Sequence, residues 1–370
     1  MRIGDFYEMI DTVAPFDLQE EYDNAGIITG SPDDQVRAVL LCLDAVTGTV
    51  EEARRKGANL MIVHHPPIFR PIKRLDAIEQ AALLAAVQLD IAILAAHTNY
   101  DAAADGLNAY VVGRMGLEDP SILEVSQRAR HYKIVTFVPR EFRERVLQAM
   151  FSAGAGRVGG YSETSFCTAG TGSFRPEEGT HPFVGQQGEL THVEEDRIET
   201  IVQQSRLTDA LVALRQVHPY EEPAIDVFEE RLLQAPAAGF GHVGNLPRPL
   251  SGSDFIQYVK TFFGVSSVPV AGVLPDTISR IAFCSGAGTS LLASARRAGA
   301  QVLISGDLKY HEALDAAQSG GCMVVVDHYS TERFFGEAME KTLTAVAHSR
   351  GEELPALYRS DEEYQPVHVW

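Results

Sequence analysis

The chain has 370 residues, and 50 Asp and Glu against 31 Lys and Arg leave a formal net charge of −19. Binding a nucleic acid depends on Lys and Arg neutralising phosphates, so that charge argues against such a partner. Hydrophobic residues at 45% and charged residues at 22% are ordinary for a globular protein, and the length suggests two domains.

The stretch "MRIGDFYEMIDTVAP" lacks the long apolar core of a signal peptide. No apolar run approaches the roughly 18 residues of a membrane span. A soluble, cytoplasmic protein with no membrane partner is expected. Cys42, Cys167, Cys284 and Cys322 show no CxxC spacing, so neither a zinc ribbon nor a redox motif is written here. Cys42 and Cys284 lie inside apolar runs and read as reduced core residues.

In chain order, "VRAVLLCLDA" (36–45) reads as a buried strand and "TVEEARRKGA" (49–58) as a helix ending at Gly57. "NLMIVHH" (59–65) is a second strand, "AIEQAALLAAVQLD" (77–90) a helix, "IAILAAH" (91–97) a third strand and "GLNAYVVGRMG" (106–116) a helix. Continuous apolar strands alternating with helices imply a mostly parallel sheet covered on both faces. From about residue 130 the texture changes. Strand 132–138, helix 142–155, a strand and a long mobile loop within 162–195, strand 197–204, helix 207–218 and strand 224–230 spell βαββαβ, a ferredoxin-like unit. "LLQAPAAGFG" (232–241) reads as the linker back to the core.

The last third repeats the first. Strand 280–288, helix 289–300, strand 301–307, helix 310–320, strand 322–328 and a long helix from about Ser330 follow the same plan. "ARRKGANLMIVHH" (53–65) sits on "ARRAGAQVLISGD" (295–307) without a gap, Gly57 on Gly299, His97 on His328 and Asp101 on Glu332. The reading is an α/β fold with a duplicated core of mostly parallel sheets covered by helices, plus an inserted α+β domain. The core is discontinuous, 1–127 with 238–370, and the insert is 128–237, as domain insertions often are.

Ligand sites in parallel α/β sheets lie beyond the carboxyl ends of the strands. His64, His65, His97 and His328 stand at such ends, with Asp101 and Glu332 just after. A lone strand-end histidine is more often structural than ligating; four of them with two carboxylates on one edge point to a metal site. Imidazole and carboxylate donors without thiolates suit zinc, iron or manganese. Two such ions would polarise a phosphoryl or carbonyl oxygen and supply a hydroxide near neutral pH. Consecutive strand residues point to opposite sides, so His64 and His65 share a cavity only if the chain turns there. Asp307 replaces His65 in the second half, so not every repeat position is an equivalent ligand. His97 reads as an orienting or proton-transferring group, as do Asp307 and His311; Asp307 reads equally as a helix N-cap. "CSGAGTS" (284–290) is either an anion-holding turn or a tight turn without ligand, and His218 in "HPYEEP" reads as part of a turn.

"YDNAGI", "VHHPPIF", "AAHTNYDAAADGLN", "CSGAGTSLL", "GDLKYHEALDA" and "DHYSTE" together resemble the Nif-three-like family, the homologues of GTP cyclohydrolase 1 type 2. The insert resembles a PII-like/CutA-like domain. The resemblance implies two divalent metal ions held by His64, His65, Asp101, His328 and Glu332, with Glu332 or Asp101 as a bridge and His97 beside them. It also implies a toroidal homohexamer, and a small-molecule or nucleotide substrate opened or hydrolysed by metal-activated water. A non-catalytic metal- or effector-sensing assembly is the alternative. Tyr22 stands where the family usually has Trp, and Asp327 where it has Gly.

Overall fold

The strand Ala38–Asp44 buries Ala38, Leu40 and Cys42 on one side and Val39, Leu41 and Leu43 on the other. A strand apolar on both faces belongs inside a doubly covered sheet. The computed structural model, which describes residues 1–128, 131–158, 161–230 and 237–367, shows that arrangement. The chain divides into two units, Met1–Gln127 with Ala237–Trp370, and Arg128–Pro236.

The discontinuous unit contains two sheets. In the first, the strands run in the order Gly26–Thr29, Ala92–Ala95, Leu60–His65, Ala38–Asp44, Ala356–Arg359. The last four are parallel and Gly26–Thr29 is an antiparallel edge. The second runs Val270–Gly272, Cys322–Val325, Val302–Ser305, Thr277–Phe283, Ala237–Ser251, Glu118–Arg128. Its three central parallel strands follow the same order, again with an antiparallel edge. The helices Ile3–Val13 and Gly252–Phe263 precede the two edge strands, so the repeat reaches further upstream than the aligned sequence stretches. Gly57 and Gly299, matched in sequence, both adopt left-handed φ values of 72° and 78° just past a helix end, where glycine pays no Cβ penalty.

One large apolar cluster joins the inner faces of both sheets to the helices Ile3–Val13, Gly252–Phe263 and Phe335–Arg350. Smaller clusters lie under the outer helices: Val50, Ala53, Leu83 and Ala86 on the first sheet, Leu291, Ala295 and Ala316 on the second. The strand following each half joins the other half's sheet. Glu118–Arg128 ends the second sheet, and Ala356–Arg359 ends the first.

Several boundaries differ from the sequence reading. Residues 232–236 of the expected linker lie outside the described residues, and from Ala237 onward the segment is strand, paired antiparallel with Thr277–Phe283 from His242 on. The helix expected over 77–90 spans only Ala81–Gln88, because the Asp76 side chain accepts the Ile78 and Glu79 N–H groups and holds a turn there. The long helix expected from Ser330 is two pieces, His328–Glu332 and Phe335–Arg350.

In the unit Arg128–Pro236 the strands run Ser165–Phe174, Thr191–Gln203, His131–Pro139, Ile225–Glu230, all antiparallel. The helices Arg143–Ser152 and Gln204–Val217 cover one face through Val146, Met150, Ala210 and Leu214 packed on Ile134, Val138, Ile198 and Val202. This is the split βαβ order of a ferredoxin-like unit. His218 closes a turn, accepting the Tyr220 N–H on Nδ1 and donating from Nε2 to the Phe137 carbonyl.

Candidate metal centre

Four histidines meet at the carboxyl ends of the core strands, and each is fixed from behind. His64 Nδ1 lies 2.9 Å from the Ala96 carbonyl, His65 Nδ1 2.9 Å from Asp44 Oδ1, His97 Nδ1 2.8 Å from Asp23 Oδ1 and His328 Nδ1 2.9 Å from Asp307 Oδ2. Carbonyl and carboxylate oxygens only accept, so each Nδ1 carries a proton and each Nε2 is left to face the cavity. Backing of this kind sets the tautomer and ring orientation of metal-ligating histidines.

His64 and His65 both reach Glu332, one through each oxygen. His64 Nε2 is 3.8 Å from Oε1, and His65 Nε2 and His328 Nε2 are each 3.0 Å from Oε2. Asp101 Oδ2 lies 3.6 Å from His64 Nε2, while Asp101 Oδ1 accepts the Ser285 hydroxyl at 2.9 Å. The donors therefore fall into two sets, His64–Asp101–Glu332 Oε1 and His65–His328–Glu332 Oε2. Ring nitrogens of His64, His65 and His97 also lie within 4.8 Å of one another, as do the ligand atoms of His65, His328 and Glu332. His64 Nε2 and Glu332 Oε2 are buried with no hydrogen-bond partner; the two nitrogens at 3.0 Å from Oε2 do not meet it in hydrogen-bond geometry. Such orphans are costly, and a divalent cation among these nitrogen and oxygen donors would satisfy them. Gly286 adds a fitted wall: a Cβ there would sit 2.4 Å from Glu332 Oε1.

The electrostatics follow from the crowding. Burial alone would lower His65, but the Asp44 and Glu332 carboxylates outweigh it and raise it to about 10. Glu332 chiefly raises His328, to about 9, against burial. Burial would raise Glu332, yet the three imidazoles hold it well below the usual carboxylate range. Burial raises Asp101. Burial would also raise Asp23, but hydrogen bonds from His97 and Thr98 keep it at about 2. Cys284 lines the cavity, but burial pushes its thiol far upward, so it contributes no thiolate.

The surrounding cavity, of about 640 Å³, is also lined by Tyr22, Phe69, Phe240, Glu20 and Glu124. Tyr22 and Phe69 are exposed at its mouth with ring centroids 6.0 Å apart.

The six residues expected at strand ends all arrive at this site. Asp307 orients His328; the cap reading fails because Lys309 is the N-cap of Tyr310–Gln318 and Glu312 takes its N–H. His311 does not join the group: it is exposed on that helix, with its ring against Tyr310 at 5.3 Å. "CSGAGTS" is a tight turn whose Gly286 and Gly288 N–H groups are taken by Thr331 Oγ1 and Ser305 Oγ. Sequence reasoning missed Asp44 and Asp23. Asp44 ends the first parallel strand, on the same edge as the histidines, and pairs in register with His65, so strand position pointed to it. Asp23, in "YDNAGI", had no positional signal.

A duplicated α/β unit whose strand ends gather imidazoles and carboxylates defines a protein with a site suited to divalent cations. The chain belongs to the Duf34/NIF3 (NGG1p interacting factor 3) family, whose sequence profile matches residues 1–360. It is 36% identical over 338 residues to the GTP cyclohydrolase 1 type 2 homolog of Halalkalibacterium halodurans, covering 91% of this chain and 90% of that protein. The Bacillus subtilis protein of the same name is 33% identical over 346 residues, covering 93% and 92%. A crystal structure of a Bacillus cereus protein related to NIF3 superposes with a TM-score of 0.81 at 32% identity, covering 100% of this chain and 99% of that one. Staphylococcus aureus protein SA1388 superposes with a TM-score of 0.74 at 28% identity, over 100% and 99%.

Proposed function

We propose that this chain is a dinuclear metal-dependent hydrolase acting on a small phosphate compound that carries a flat ring. One observation carries the reading: the two oxygens of Glu332 face separate donor sets, with every histidine fixed through Nδ1. His64, Asp101 and Glu332 would hold one cation, and His65, His328 and Glu332 the other. A bound pair would supply Lewis-acid polarisation of a phosphoryl or carbonyl oxygen and a water acidified toward neutral pH. The chain's own residues do the rest. His97, held by Asp23, offers its Nε2 as the proton-transfer group. Tyr22 and Phe69 receive the flat portion of the substrate at the mouth.

The lining also limits the charge of the substrate. Among the described residues it contains Glu20 and Glu124 beside the ligand carboxylates, and no Lys or Arg. Phosphates beyond the one held by the cations would face carboxylates, which favours monophosphates and phosphodiesters over GTP. GTP ring opening, the activity in the relatives' name, belongs in the same assay panel. The core 1–127 with 238–370 carries this chemistry in the proposal, and 128–237 is an inserted PII/CutA-like domain. The homohexamer implied by the resemblance is part of it too, and light scattering should give roughly six times 40.3 kDa.

The test loads the protein with zinc, manganese or ferrous iron, counts the bound metal, and assays GTP, nucleoside monophosphates and p-nitrophenyl phosphoesters. Turnover of monophosphates above GTP is expected, and Glu332→Gln should lose about a hundredfold or more while keeping its assembly. No turnover by fully loaded wild-type protein would end the hydrolase reading and leave the metal- or effector-sensing one, which a second cavity, in the unit Arg128–Pro236, supports.

A further inference from the structure

The unit Arg128–Pro236 has its own cavity, of about 690 Å³. Its floor is the helix-free face of the sheet. Ile134, Val138, Ile198 and Val202 point to the helices, so by strand alternation Phe137, Glu195 and Arg197 point the other way. The register pairs Thr168 with Arg197 and Gly170 with Glu195, which brings Thr168, Gly170, Gly172 and Phe174 onto the same face. The loop 175–190 folds back over this floor. The Arg175 guanidinium bonds the Gly188 carbonyl, Gly188 N–H donates to the Pro176 carbonyl at 2.8 Å, and His181 N–H donates to Glu221 Oε2 at 2.9 Å. The long loop is therefore held by its own hydrogen bonds and bolted to the segment after His218.

Two features define what fits. The first is an aromatic wall: Tyr220 stands 6.0 Å from Phe174 and 6.3 Å from Phe183, centroid to centroid. The second is Glu195, only 8% exposed yet carrying a carboxylate. Its Oε1 accepts the Tyr220 hydroxyl at 2.5 Å. Its Oε2 lies against Gly172, where a Cβ would sit 2.0 Å away, so only glycine leaves that oxygen its place. Among the described residues Glu195 pairs with no Lys, Arg or His. Arg197 is engaged by Glu199 at 3.0 Å, and Arg175 by the loop carbonyl. Glu177, Glu221 and Glu222 add further negative charge to the lining. A buried carboxylate bonded only to a neutral phenol lacks its counter-charge, and aromatic faces attract cations.

We propose that the inserted unit binds a small organic cation, a protonated amine on a flat apolar frame, between the helix-free face of its sheet and the loop 175–190. The amine meets Glu195 Oε2 over Gly172, and the frame lies against Phe174, Phe183 and Tyr220. The site is complete within one chain and does not depend on the metal centre.

The test is calorimetric titration of the full chain with tryptamine and with indole-3-propionate, which share a ring system and differ in charge. Tryptamine should bind saturably, at least about tenfold tighter than the acid. Glu195→Gln should abolish that preference with unchanged circular dichroism, and Gly172→Ala should weaken tryptamine by pushing the Glu195 carboxylate from its place. If Glu195→Gln does not fold, Phe183→Ala on the exposed rim serves instead and should also weaken tryptamine. Glu332→Gln, in the other unit, should leave binding intact; a loss there would assign tryptamine to the metal cavity and overturn the proposal. Absent saturation, or equal or stronger binding of the acid, overturns it as well.

Discussion

Asp44 shows how much one side chain behind a candidate ligand decides. It pairs in register with His65 and takes that ring's Nδ1–H, leaving Nε2 toward Glu332. Asp44→Asn keeps the shape but removes the charge that orients the ring. Its expected cost is on the order of ten- to a hundredfold in metal affinity, read by chelator competition, with the melting temperature of the metal-free protein little changed. His242 makes a different residue-scale prediction. Burial lowers it to about 4 against the pull of the Ala104 backbone and Asp105, and its buried Nδ1 has no partner. The folded state therefore refuses a proton that the unfolded chain accepts near pH 6.5. Stability from this group is complete above that pH and is lost as pH falls toward 4, by about 3 kcal/mol. Denaturant titrations at several pH values should show a shallower acid loss for His242→Gln than for wild type; equal slopes would remove His242 as the cause.

The element that matters most for the site is the single-turn helix His328–Glu332, which carries a candidate ligand at each end. Its N-cap is Asp327, whose side chain accepts the Ser330 N–H and hydroxyl, both at 2.8 Å. The Asp327 carboxylate is thus turned to its own helix and to the Gln365 side-chain amide. Asp327→Ala should cost about 1 kcal/mol, and Asp327→Gly only a few tenths, measured by chemical denaturation. Because the cap holds the turn that presents both His328 and Glu332, the alanine variant should also bind metal more weakly. The corresponding turn Thr98–Ala102 is capped differently, by Asp23, which accepts the Thr98 N–H at 3.1 Å while orienting His97.

Across the whole discontinuous unit, the crossed terminal strands tie the halves together. Ala356–Arg359 pairs parallel with Ala38–Asp44, and the segment beyond it is anchored by Ser360 N–H on the Leu41 carbonyl and Asp361 N–H on Glu52 Oε1. Glu363 accepts the Leu43 N–H, one residue from Asp44. Ending the chain before Ala356 should expose that edge, lower the melting temperature and weaken metal binding through Asp44. Thermal melts with and without added zinc check both. A truncated protein that keeps full zinc stabilisation would show that the crossed strand does not support the site.

The sequence by itself determined the periodic elements, the duplication and the six strand-end donors, because burial on both faces writes continuous apolar runs and parallel strands place their carboxyl ends on one edge. It was also enough for the βαββαβ order of the insert. Only the tertiary structure decided which groups stand behind the strand-end histidines and how the cavities are lined. Asp23, Asp307 and Ala96 meet their histidines across 74, 21 and 32 residues of chain, and no local periodicity encodes such contacts. The Glu195–Gly172 apposition likewise depends on cross-strand register, and register is a property of paired strands that neither strand carries alone.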